Sequence, residues 1–288
     1  MAKKTASYIV HPASRPDVSP VIFDCPHSGT ILPRHFRYAC QKQDLMFLHD
    51  PHVDKLLTGV PHAGSPVLEA LIHRACIDLN RHEYEVNPDW IDGEWTIPHK
   101  MTFYTSQNAG LFPILAGPRA NRISDIYNDA ARLTAREGER RIHDYHRPYY
   151  KKLDQMLTAS RKSNASILHV DMHSTYRGNP DQQADIILGD MNSKSCDPEI
   201  TRFIKTYFQI DGYSVDDNGK YFSGGAIIQH THAPEKGIHS IQIEIARDIY
   251  MNQETLAFSM TRGEELRKSL SGLSKALNGY MAHRNRLG

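Results

Sequence analysis

The chain has 288 residues, 34 Lys plus Arg against 33 Asp plus Glu, and a formal charge of +1. That length suits one large α/β domain with a sizeable core, and the balanced charge gives no broad basic field for nucleic acid or an anionic membrane. Apolar runs are strand-sized and the amino-terminal stretch has no apolar h-region, so neither a transmembrane helix nor a signal peptide is expected, and the expected compartment is the cytoplasm.

Residues 1–18 are polar and read as a flexible arm; 19–288 read as a single α/β hydrolytic domain. SPVIFDC is a strand closed by the turn PHSG, which presents His27. QDLMFLHDPHVDKLLT (43–58) has a helical pattern broken at Pro51; Asp50 and Asp54 share a face if the helix restarts there. SPVLEALIH and ACIDLN read as two strands, the second ending in Asn80 and Arg81. Residues 83–118 lack periodicity and suggest a surface excursion or an active-site wall. The clearest helical pattern runs over 122–160, with Pro148 expected to kink or split it.

SILHVDMHS and ADIILGD are strands, and DPEITRFIKTYF is a helix capped by Asp197. YSVDD, GGAIIQHTH and HSIQIEI read as further strands before an amphipathic helix over 253–284. Alternating strands and helices predict a three-layer α/β/α sandwich around a mostly parallel, mixed sheet.

Cys25, Cys40, Cys76 and Cys196 lie far apart without a CxxC, against a zinc ribbon, redox dithiol or disulfide framework. Histidines number 17, so abundance alone singles out none of them. Strand ends do the sorting, because ligands in α/β proteins sit there. His27, Arg81, His173 and Glu244 close or follow such runs, as a metal hydrolase acting on an acidic substrate would require.

Hydrolytic zinc needs about three protein ligands, a vacancy for water and a base. His27 in HSG and His173 in HST fit, and the small residue after each, including Ser174, would admit substrate; a turn histidine bonded to backbone is an even alternative for either alone. Asp50 is preferred as third ligand and Asp54 is the alternative, although an exposed charge or cap accounts equally well for Asp54. Asp171 alternates with His173 and suits a partner that orients the imidazole, or a ligand. Glu244 lies between isoleucines, a setting that disfavours the ionised carboxylate and suits a general base; the competing reading pairs it with Arg247. Arg81 suits bidentate carboxylate recognition, or a salt bridge to Asp78 or Glu83.

The ordered motifs PHSG (26–29), HDPHVDKL (49–56), DLNR (78–81), RIHDYHRPYYKKL (141–153), VDMHS (170–174), ADIILGD (184–190) and SGGAIIQHTHAPEKGIHSIQIEIARDIYMN (223–252) resemble the N-formylglutamate amidohydrolase family, itself similar to zinc carboxypeptidases and aspartoacylases. The resemblance implies a phosphorylase/hydrolase-like fold and one zinc held by His27, an acidic residue and His173. It further implies Glu244 as base and Asn80 with Arg81 as clamp on a substrate carboxylate. The chain lacks the HxxE of the carboxypeptidases, and 83–125 matches loosely, which leaves substrate identity more open than reaction type.

The expected activity is hydrolysis of N-formyl-L-glutamate to formate and L-glutamate. Its rivals are a deacylase or carboxypeptidase-like amidase for another conjugate, and a catalytically inactive ligand-binding homologue. A two-metal ureohydrolase is disfavoured by Thr175, where a further aspartate would be needed. Oligomeric state is not legible in the sequence.

Overall fold

Alternation of apolar and polar residues along VIFDC, ILHVDMHST and IHSIQIEIA builds the centre of a seven-stranded sheet in this computed structural model, which describes residues 5–14, 19–119, 122–178, 183–219 and 222–287. Its strands are β1 (Tyr8–His11), β2 (Val21–Cys25), β3 (Val67–Ala70), β4 (Ile167–Thr175), β5 (Ile186–Gly189), β6 (Val215–Asp217) and β7 (Ile238–Ala246), in the spatial order β1-β3-β2-β4-β7-β5-β6. β2 pairs in parallel with β3 and β4, β4 with β7, and β5 with β6; β7 meets β5 antiparallel. The expected mixed, mostly parallel sheet is therefore observed.

Two compact units make up the chain: residues up to Ile9 with Pro26–Pro51 and Ala70–Lys152, and Val10–Cys25 with His52–Glu69 and Leu153–Gly288. In the second, one sheet face is apolar. Phe23, Val170, Met172, Ile243 and Leu188 point to it and pack with helices Pro198–Ile210 and Met260–Leu287 through Ile200, Ile204, Leu270 and Leu277. Burying each such side chain contributes about 1.5–3 kcal/mol. Strand periodicity sends the intervening residues to the other face: Asp24, then His169, Asp171 and His173, then Ser240, Gln242 and Glu244, all buried. Register places Gln242 opposite Asp171 and Glu244 opposite His173.

In the first unit Leu115–Arg119 pairs antiparallel with Arg122–Asp125, and Ile91–Asp92 pairs with Leu133–Thr134. Buried Arg141 ties the unit together. Its Nη1 donates to Cys76 O at 3.0 Å and Tyr127 Oη at 2.9 Å, and its Nε donates to Glu137 Oε1 at 2.9 Å.

Five sequence expectations need correction. Tyr8–His11, expected within the flexible arm, is the edge strand β1. ACIDLN is not a strand but a buried irregular segment. Side chains meet its carbonyls in place of a ladder: Arg141 binds Cys76 O and Tyr150 Oη donates to Leu79 O at 2.9 Å. GGAIIQHTH forms a helix over Ala226–Thr231, where β-branched residues are overridden by packing against β7 and β4. The long helix starts at Ala135 rather than 122, capped by Thr134 Oγ1 accepting from Glu137 N at 3.2 Å. Pro148 does not split it. A π-helical turn over Ile142–His146 widens the helix just before Arg147–Arg161, which accommodates the proline's missing N–H and its clash with the preceding turn.

Candidate active site

His27 leaves the end of β2 in a turn whose glycine has a steric purpose: a Cβ on Gly29 would lie 2.3 Å from Ile72 O. His27 O accepts from Asp50 N at 2.9 Å, which brings the aspartate beside the imidazole. Asp50 is buried, whereas Asp54 is partly exposed in the first turn of the short helix Val53–Leu56.

His27, Asp50 and His173 are all buried, and one ligand atom of each lies within 4.8 Å of the others. His27 Nδ1 and Asp50 Oδ2 are 3.6 Å apart, too long for a hydrogen bond. Two ligand atoms about 2.0–2.1 Å from one ion in tetrahedral arrangement are about 3.4 Å apart, so this spacing suits shared coordination. His173 Nε2 lies 3.0 Å from Asp171 Oδ1 without a hydrogen bond, both Asp171 oxygens being buried and without hydrogen-bond partners among the described residues, whereas His27 Nε2 donates to Asp78 Oδ1 at 2.6 Å and so leaves Nδ1 toward Asp50. Carboxylate–imidazole pairs of this kind fix tautomer and ring orientation at metal sites. The donor set therefore fits a divalent cation, Asp50 belongs to it, and Asp54 lies outside it.

Asp78 has no sequence assignment except as an Arg81 partner. A carboxylate inside the apolar run ACIDL was the available signal. Burial by itself raises such a carboxyl, but Arg74, His27 and Arg81 hold Asp78 well below the usual carboxylate range. It also accepts from Asn80 N at 2.9 Å and from Arg74. Ser28 Oγ and His73 Nε2, neither of them singled out by sequence, are buried polar atoms without hydrogen-bond partners among the described residues. Burial, then the neighbouring His49, Arg74 and His27, keep His73 well below the ordinary histidine value.

Arg81 is not salt-bridged to Asp78 or Glu83; Glu83 takes Arg147 at 2.9 Å. Its Nε donates to Ala109 O at 2.9 Å and its Nη1 to Asn80 O at 2.8 Å, and the guanidinium stacks 3.7 Å over Tyr104. Main-chain carbonyls and an aromatic face thus fix the fork without neutralising it. His146, from the π turn, holds the same segment through Nε2 to Arg81 O at 2.8 Å and stacks on Tyr150 at 4.4 Å. Burial lowers its pKa to about 4, so it is neutral at physiological pH.

Glu244 is 7% exposed, opposite His173, and accepts from Gln242 Nε2 at 2.8 Å. Ser174 is not brought to this cluster: strand alternation turns it to the apolar face, where Arg247 Nε donates to its Oγ at 3.3 Å. Among the described residues no helix is long and apolar enough to cross a membrane.

Fold and side chains together define an α/β protein with a buried His–Asp–His group able to hold a metal ion, a buried carboxylate, Glu244, opposite His173 in the sheet register, and an arginine, Arg81, ordered by carbonyls and an aromatic face. Residues 19–251 match the family model for N-formylglutamate amidohydrolase, and the chain belongs to that family. It is 26% identical over 274 residues to the N-formylglutamate deformylase of Pseudomonas putida, covering 92% of this chain and 94% of that protein. The Pseudomonas aeruginosa N-formylglutamate deformylase is 25% identical over 266 residues, covering 90% and 92%. The crystal structure of an N-formylglutamate amidohydrolase from Ralstonia eutropha JMP134 superposes with a TM-score of 0.89 at 27% identity, covering 97% of this chain and 99% of that one. The Agrobacterium tumefaciens gene product Atu2144 shares the fold, with a TM-score of 0.60 at 14% identity over 93% of this chain and 96% of that one.

Proposed function

We propose that the protein hydrolyses the N-acyl bond of an acidic amino acid, with N-formyl-L-glutamate giving formate and L-glutamate as the leading substrate. The observation that carries the reading is the buried His27–Asp50–His173 group within a chain of this family. We infer zinc as the native ion from two imidazoles and one carboxylate, and a place for the protein near the zinc carboxypeptidases and aspartoacylases. Such an ion supplies Lewis acidity, polarising a carbonyl oxygen and acidifying water.

The chain's own residues do the rest. Arg81, its plane held by Tyr104, accepts the substrate carboxylate with Asn80 beside it. Glu244 takes a proton from the attacking water and delivers it to the leaving amine nitrogen, which departs as the amino acid. Asp78 keeps the His27 imidazole turned toward the ligand position, and Asp171, 3.0 Å from His173 Nε2, is assigned the same part for His173. Ser174 has no part in this scheme because of the face it occupies.

The test is purified protein assayed for metal content and for turnover of formyl, acetyl and succinyl amino acids, beside Glu244→Ala. Turnover of the formyl substrate, abolished in the variant at unchanged metal content, supports the reading. Loss of metal in the variant would make Glu244 a ligand, and an inert wild-type protein would favour a binding homologue.

A further inference from the structure

We propose that Gln242 is a positioning residue for Glu244, locking the plane of its carboxylate from a mount on the backbone of Gly225; the proposal rests on the amidohydrolase reading, in which Glu244 moves the proton. The amide has one possible orientation. Gly225 N–H is a donor and lies 2.9 Å from Gln242 Oε1, so the side-chain oxygen must face it. Nε2 is then directed at Glu244 Oε1, 2.8 Å away. Both side chains are buried, Gln242 at 4% exposure, so neither bond competes with bulk water.

The mount is itself fixed at two ends. Gly224 adopts φ +137°, and a Cβ there would come within 2.9 Å of Met191 Cγ, so a glycine is required where the chain turns into helix Ala226–Thr231. At the helix's far end Thr231 Oγ1 donates to Ile227 O at 2.9 Å and meets Ser240 Oγ at 2.9 Å. Ser240, Gln242 and Glu244 lie on one face of β7, so helix and strand are joined at two points two residues apart, and Gln242 transmits that rigidity to the carboxylate.

A base whose carboxylate can rotate spends less time aligned with the water proton, which lowers kcat and leaves substrate affinity intact. Gln242→Leu should reduce kcat roughly tenfold to a hundredfold, the range for losing a hydrogen bond to a charged group. KM should stay within about twofold. Gln242→Met, closer in volume, replaces the leucine variant should that one fail to fold. An unchanged kcat, with or without an altered KM, overturns the proposal. A turnover-independent readout comes from nitrogen-15 spectra: a Gln242 side-chain amide proton shifted downfield and slow to exchange, lost in Glu244→Ala, supports the contact, and a solvent-like amide overturns it. A wild-type protein that shows this proton yet hydrolyses no N-acyl amino acid refutes the amidohydrolase reading, while the contact stands.

Discussion

Replacing Asp78 with Asn removes one charge and almost no volume, and the donors around the side chain set the cost. The carboxylate is 1% exposed and receives His27 Nε2, Asn80 N and Arg74 together. An asparagine keeps one acceptor but turns two donor hydrogens toward a neighbour that also donates. If the amide oxygen stays with His27, its nitrogen opposes Arg74; if it flips, His27 loses its acceptor and its preferred tautomer. The arginine, 20% exposed in its side chain, retains some solvation, so the expected stability loss without metal is about 1–3 kcal/mol. Loss of an orienting carboxylate costs about 10- to 100-fold in metal affinity, about 1.4–2.8 kcal/mol. The assay is zinc titration of metal-free protein against a competing chelator, with thermal melts of the same samples without metal. Unchanged zinc affinity in a destabilised Asp78→Asn protein would refute the argument, because Asp78 would then serve only the packing of its loop.

Two further outcomes concern Arg81 and its support. Tyr104→Ala removes a cation–π contact worth about 0.5–2 kcal/mol, so KM for the acidic substrate should rise roughly 2- to 30-fold at near-constant kcat in steady-state assays. A fall in kcat alone would place Tyr104 elsewhere in the reaction. His146 has a folded pKa of about 4 against an ordinary 6.5, so folding favours its neutral form. That contribution is fully present above about pH 6.5 and is lost as pH falls toward 4, amounting to about 2 kcal/mol between pH 7 and 4.5. Denaturant titrations at the two pH values should show this slope in the wild type and a shallower one in His146→Phe.

The sheet's mixed character, most of its strands and the placing of His27 and His173 at strand ends were legible in residues alone, because a period of two in buried strands and the punctuation around them are local properties. So was the polar face of QIE, since its alternation with isoleucines shows directly in the sequence. Only the tertiary structure identified Asp78 as the partner of His27, since 51 residues separate them and nothing in ACIDL shows which way its acid turns. It also separated Asp50 from Asp54, turned Ser174 away, and made a helix of GGAIIQHT, where the backbone obeys packing rather than propensity. Composition and periodicity thus determined which residues would be buried and on which strand. Which buried polar groups meet was decided by long-range register and loop closure, because a carboxylate's partner depends on the path of chain between them.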